Sequence, residues 1–135
     1  MSFEELSHTA DVKIRVHAPT RDLLFSEACM ALMQVMYGSD RKTGTQRELD
    51  LESTDMESLL LEFLSEILFI TDAESLVIAH AEVQVSGLHM HATLNGELFD
   101  RERHNKGTEV KGISYSGMTI QQDTNGYVME ILFDV

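Results

Sequence analysis

From residue 11 the chain alternates. DVKIRVH places Val12, Ile14 and Val16 on one face and charged residues on the other, the pattern of a half-buried strand. Pro19 and Thr20 interrupt the alternation, and Thr20 is placed to cap a helix over TRDLLFSEACMALMQVMYG that stops at Gly38. Its apolar residues, among them Leu24, Phe25, Ala28, Cys29, Leu32 and Met36, cover most of the circumference, so the helix is expected to pack on more than one side. A polar loop (39–47) and a short alternating strand (RELDLES) follow. Thr54 with Glu57 has the form of a capping box and opens a second helix running to about Thr71. Its polar stripe, Ser58, Glu62, Ser65 and Glu66, is narrow.

Beyond that helix the period changes from helical to twofold. SLVIAHAEVQVSG, LHMHATLNG, TEVKGISYSG, MTIQQD and YVMEILFDV are strand-like runs separated by Gly and Asn, with DTNG at 123–126 as a hairpin turn. Strand, helix, strand, helix and then a meander of strands define an α+β class: two core helices packed on a mainly antiparallel or mixed β-sheet layer. The 135 residues are expected to form one domain, 1–135.

Composition narrows the functional classes. Ten basic residues against 23 acidic ones give a net charge of −13. Nucleic-acid affinity rests on Lys and Arg neutralising phosphates, so little or no direct nucleic-acid binding is expected. Cations and basic protein surfaces are the natural counterparts of such a field. No apolar run reaches the length of a membrane span, so no membrane partner is expected. The acidic, polar N-terminal stretch MSFEELSHTAD is unlike a signal or transit peptide. A single cysteine, Cys29, fits a reducing compartment, and a cytoplasmic location is expected.

The first candidate chemistry lies at the two ends of the chain. Asp11 is expected to open the first strand and Asp134 to close the last, although Asp is among the poorest strand formers. Antiparallel neighbours would set these two carboxylates side by side, where they repel unless a cation lies between them or one is protonated. Hard divalent ions favour such oxygen clusters, and the terminal carboxylate of Val135 would be a third anionic ligand. Acids that merely flank strands at the water line are the commoner reading of the spacing. His8 reads from the residues alone as an exposed side chain at a frayed end. His89 and His91 share one face of a strand but lack further zinc ligands, and a solvent-facing pair is expected. Asp100 and His104 have the spacing for an acid–base pair, and a polar loop explains them equally. Lys111 interrupts a strand-like run, and alternation puts it on the solvent face. There is no nucleophile elbow, phosphate-cradling loop, CxxC pair or HExxH, so no motif supports an enzyme.

Three stretches together, HTADV near the start, GELFDRERH with KGTEVKGISYSGMTI, and the terminal ILFDV, resemble the archease family, and the resemblance extends over essentially the whole length. It implies a protein cofactor rather than an enzyme: an activator of the RNA-splicing ligase that joins tRNA exon halves. Such an activator promotes guanylylation of the ligase, allows its multiple turnover and broadens its nucleotide use. The resemblance also implies a divalent-metal site made of Asp11, Asp134 and the main-chain oxygen of Val135. Calcium, magnesium and manganese all suit that ligand set, with calcium the ion expected first. His8, His104 and Lys111 match the pattern and are carried over as partner-facing candidates. Arg101 replaces a customary proline and Ser116 a customary histidine, which weakens any role assigned to the 100–116 surface. Two other classes remain open. One is a metal-dependent phosphate-ester hydrolase using Asp11, Asp134 and His104. The other is a general chaperone or interaction module, suggested by eight methionines and two apolar helices.

Overall fold

A computed structural model describes residues 1–6 and 11–135, with the backbone alone for 115–117. Among the described residues, seven strands and two helices follow in the order β1 (Ser2–Leu6), β2 (Asp11–Ala18), α1 (Arg21–Tyr37), β3 (Thr45–Glu52), α2 (Met56–Glu74), β4 (Leu76–Ser86), β5 (His89–Leu98), β6 (Gly112–Asp123) and β7 (Gly126–Asp134). The class is the expected α+β, but the strands divide into two antiparallel sheets. One has the order β1-β2-β7-β6 and the other β3-β5-β4.

Local signals account for most element ends. The Thr20 hydroxyl accepts from the Leu23 amide at 3.2 Å, and Gly38, at φ 82°, returns its amide to the Gln34 carbonyl. That backbone angle suits glycine because it has no Cβ to clash. The second helix is capped one residue later than expected. Asp55, not Thr54, accepts from the Ser58 amide at 2.8 Å, and the helix continues past Thr71 to Glu74. Thr and Asp both cap well, so TDME allows either, and the acidic side chain takes the role. The DTNG turn forms as expected, with Asp123 opposite Gly126 and the Asp123 carboxylate accepting from the Asn125 amide at 2.8 Å.

The helices contact strands of both sheets. Leu24, Phe25, Leu32, Leu60, Phe63, Leu64 and Ile67 are fully buried, and the Phe25 and Phe63 rings stack at 5.9 Å. From the first sheet, Ile14, Val16, Met129, Ile131 and Phe133 enter the same core. Alternation then fixes the opposite face of that sheet, which carries Asp11, Lys13 and Arg15 on β2 and Glu130 and Asp134 on β7. No helix among the described residues is long and apolar enough to cross a membrane.

Candidate functional site

Asp11 is the register partner of Asp134 across β2 and β7. Directly opposed residues in an antiparallel pair share a face, with Cβ atoms about 4.5–5.5 Å apart. On the other side of β7 the partner of Asp134 is Gly112, and a Cβ placed there would meet Asp134 Oδ2 at 3.6 Å. The row is thus Asp11, Asp134, Gly112, with the third position free of a side chain. Asp134 is exposed and Asp11 half-buried, so the row is open to water at the sheet margin. The main chain is held there as well, because the Lys111 amide donates to the Asp134 carbonyl at 2.7 Å.

Two to four residues along the same face lies a group of ion pairs. Arg15 donates to Glu130 Oε2 through Nε (2.8 Å) and Nη2 (2.7 Å) and to Glu4 through Nη1 (3.0 Å). Lys13 Nζ lies 3.3 Å from Glu130 Oε1. Hydrogen bonding from Arg15 holds the Glu130 carboxyl below its usual range. Among the described residues no group of three or more His, Cys, Asp or Glu is arranged to hold a metal ion by side chains alone. Asp11, Asp134, the main-chain oxygen of Val135 and water would together offer only oxygen donors. That all-oxygen donor set fits a hard divalent ion.

The other sequence candidates lie elsewhere. His8 falls outside the described residues. Lys111 is exposed just before β6, as alternation suggested. His104, expected to face a partner, is buried at 1% exposure and held by hydrogen bonds within the fold. Its Nδ1 accepts from the Asp100 amide at 2.8 Å, so Nε2 carries the proton and donates to Glu97 Oε2 at 3.1 Å. Its ring packs against Tyr37 (6.3 Å) and Phe99 (5.8 Å) on the helix side of the fold. The acid bonded to His104 is Glu97, not Asp100, whose carboxylate instead accepts from the Glu102 amide and Arg103. Asp11, Asp134 and His104 therefore do not assemble around one centre, as the hydrolase reading needs.

Sequence reasoning missed Glu97. It accepts both Arg103 Nη1 (2.8 Å) and Nη2 (2.5 Å), the Lys42 amide (2.7 Å) and His104. These contacts, Arg103 foremost, bring its carboxyl down to about 2. Glu97 lies at the end of β5 and His104 in the loop beyond it, so no single secondary-structure period pairs them. His89 and His91 share the outer face of β5 as expected. His91 Nδ1 lies 2.9 Å from Asp50 and its Nε2 3.3 Å from Glu48. The Asp50 hydrogen bond raises the His91 pKa.

A groove of about 690 Å³ opens between the C-terminal ends of α1 and α2 and the segment 99–111. Tyr37, Phe69, Asp72, Phe99, Glu109 and Lys111 are among its lining residues.

Residues 3–135 match the Archease protein family model. The chain belongs to the archease family. A Pyrococcus abyssi protein archease is 35% identical over 129 residues, covering 92% of this chain and 91% of that one. A Drosophila melanogaster protein archease-like is 32% identical over 142 residues, covering 100% and 91%. Among solved structures, the solution structure of Methanobacterium thermoautotrophicum protein 1598 superposes with a TM-score of 0.80 at 27% identity and covers 99% of each chain. A Thermotoga maritima archease described as a possible chaperone gives 0.66 at 15% identity, covering 98% and 96%, a likeness of fold alone. The archease α+β fold expected from the sequence is thus shared by these structures.

Proposed function

We propose that this archease is a non-enzymatic, cytoplasmic protein cofactor of the RNA-splicing ligase, promoting its guanylylation and multiple turnover and widening its nucleotide use. Family membership supports the class of partner. The single observation that carries the chemistry is the register pairing of Asp11 with Asp134 on an open sheet margin. Asp11, Asp134 and the main-chain oxygen of Val135 would hold a divalent ion, calcium, magnesium or manganese. Such an ion supplies concentrated positive charge beside the phosphates of a nucleotidyl transfer.

The chain's own residues have three tasks in this reading. The two carboxylates present fixed negative charge at the ends of the two central strands. Gly112 keeps the approach to Asp134 clear. The Lys111–Asp134 backbone bond holds the end of β7 against the start of β6. The net charge of −13 draws the protein toward a basic face of its partner and keeps it from competing for RNA.

The test is guanylylation of a purified cognate ligase with labelled GTP, with and without this protein. Faster and more complete labelling supports the reading. Unchanged labelling at saturating protein contradicts it. A chaperone reading has the exposed Phe69 in its favour. Suppressed aggregation of unrelated clients, without any effect on the ligase, would establish that reading instead.

A further inference from the structure

The groove between α1 and α2 reaches the start of β6, where Lys111 lines it and donates its amide to the Asp134 carbonyl, and it has a chemistry of its own. Phe69 is 63% exposed on a helix whose other aromatic residue, Phe63, is fully buried. Glu66 and Asp72 stand three residues before and after it, on the same helical stripe. The helix carries Glu57, Glu62, Glu66, Asp72 and Glu74 and no lysine or arginine. Phe99, also lining the groove, is 46% exposed and backed by the rings of Tyr37 and His104. Glu109 adds another carboxylate, and Lys111 is the one lysine or arginine among the described lining residues.

Aromatic surface bordered by carboxylates discriminates between partners in a way that plain apolar surface does not. The face of a Phe ring attracts a cation, more strongly as water is excluded. A nearby carboxylate adds charge-assisted hydrogen bonds, which suit a planar guanidinium best. An acidic segment would meet Glu66, Asp72 and Glu109 at a cost. The net charge of −13 extends the same preference to the approach.

We infer that this groove docks a protein segment presenting an arginine or lysine beside an apolar side chain. The cation lies against Phe69 or Phe99 within reach of Asp72, and the apolar side chain fills the floor beside Tyr37. That the segment belongs to the RNA-splicing ligase rests on the function proposed above; the chemistry of the groove does not.

Calorimetric titrations of the full chain separate the two. The probes are a capped peptide of alternating Arg and Leu, its twin with Glu for Arg, and the purified ligase. The proteins are wild type, Phe69→Ser, Asp72→Lys and, as a charge control on the outer face of β3, Glu52→Lys. The basic peptide is expected to bind and the acidic twin not to. Phe69→Ser and Asp72→Lys should each weaken the basic peptide about tenfold or more, while Glu52→Lys changes it little. No binding, or equal losses from Asp72→Lys and Glu52→Lys with none from Phe69→Ser, would overturn the groove in favour of diffuse charge attraction. If the peptide behaves as expected while the wild type fails to bind the ligase, the partner assignment falls and the groove stands.

Discussion

Asp11 and Asp134, separated by nearly the whole chain, face each other across one antiparallel pair, with Gly112 completing the row. Like charges set directly opposite each other oppose strand pairing. Hydrophobic register holds the strands in place nonetheless, because Val12 with Phe133 and Ile14 with Ile131 point into the core beside them. A slip of one residue would turn those side chains outward. The packing of the core therefore sets the geometry of the carboxylates.

A bound divalent ion should stabilise the fold through this pair. At a hundredfold excess of ion over its Kd the gain is about 3 kcal/mol for one site. Thermal unfolding with added calcium, magnesium or manganese should show a rise in the wild type that chelator reverses. Asp134→Asn should lose that rise while remaining, without ion, within about 0.5 kcal/mol of the wild type. An identical response in Asp134→Asn places cation binding elsewhere.

Glu97 makes acid stability predictable. Its carboxyl is held down to about 2, first by Arg103 and then by the Lys42 amide and His104. A glutamate in the unfolded chain titrates near 4.3, roughly. Its contribution is therefore complete above that pH and is lost as pH falls through the interval towards 2. Glu97→Gln should flatten the acid limb of stability over that interval. Thermal midpoints from pH 6 to pH 2.5 would show it, and an unchanged limb would assign acid sensitivity to other groups such as Glu130.

His104 is a fold residue, and its loss should appear first in stability. His104→Ala opens a cavity beside Tyr37 and Phe99 and removes the partners of Glu97 and the Asp100 amide, at a cost of about 2–4 kcal/mol. Urea unfolding measures this directly. Wild-type stability in the variant would contradict the buried hydrogen-bond arrangement.

Cys29 should be inert while the protein is folded. Burial pushes its thiol up to about 12, with Arg41 a lesser, opposing influence. A colourimetric thiol reagent at pH 8 is expected to react only after denaturant is added. Rapid labelling of the native protein would show that the centre of α1 opens readily.

Much of this arrangement is legible in local signals. Thr20 and Gly38 bracket α1, DTNG marks the last hairpin, and alternation assigns the two faces of β2. What escaped depends on distant partners. FEEL, in β1, reads as acidic N-terminal sequence, and its pairing with β2 shows that Asp11 opens the second strand, not the first. Division into two sheets depends on which strands meet across the helices, and no local pattern states that. His104 sits in a run of charges that looks like a solvated loop. It is buried because the Asp100 amide and Glu97 satisfy both ring nitrogens, and Glu97 arrives from the end of β5. Asp11 and Asp134 were visible as oddities of strand composition, whereas their juxtaposition needed the register.

The most direct test of the central claim is RNA ligation at substoichiometric ligase. The assay contains GTP, a divalent ion, an RNA ending in a 2′,3′-cyclic phosphate, and wild type, Asp11→Ala or Asp134→Ala. Many turnovers per ligase with the wild type and about one with either variant, all equally folded, is the expected result. Equal turnover with the variants would contradict a role for the carboxylate pair, and no stimulation by any form would contradict the ligase as partner.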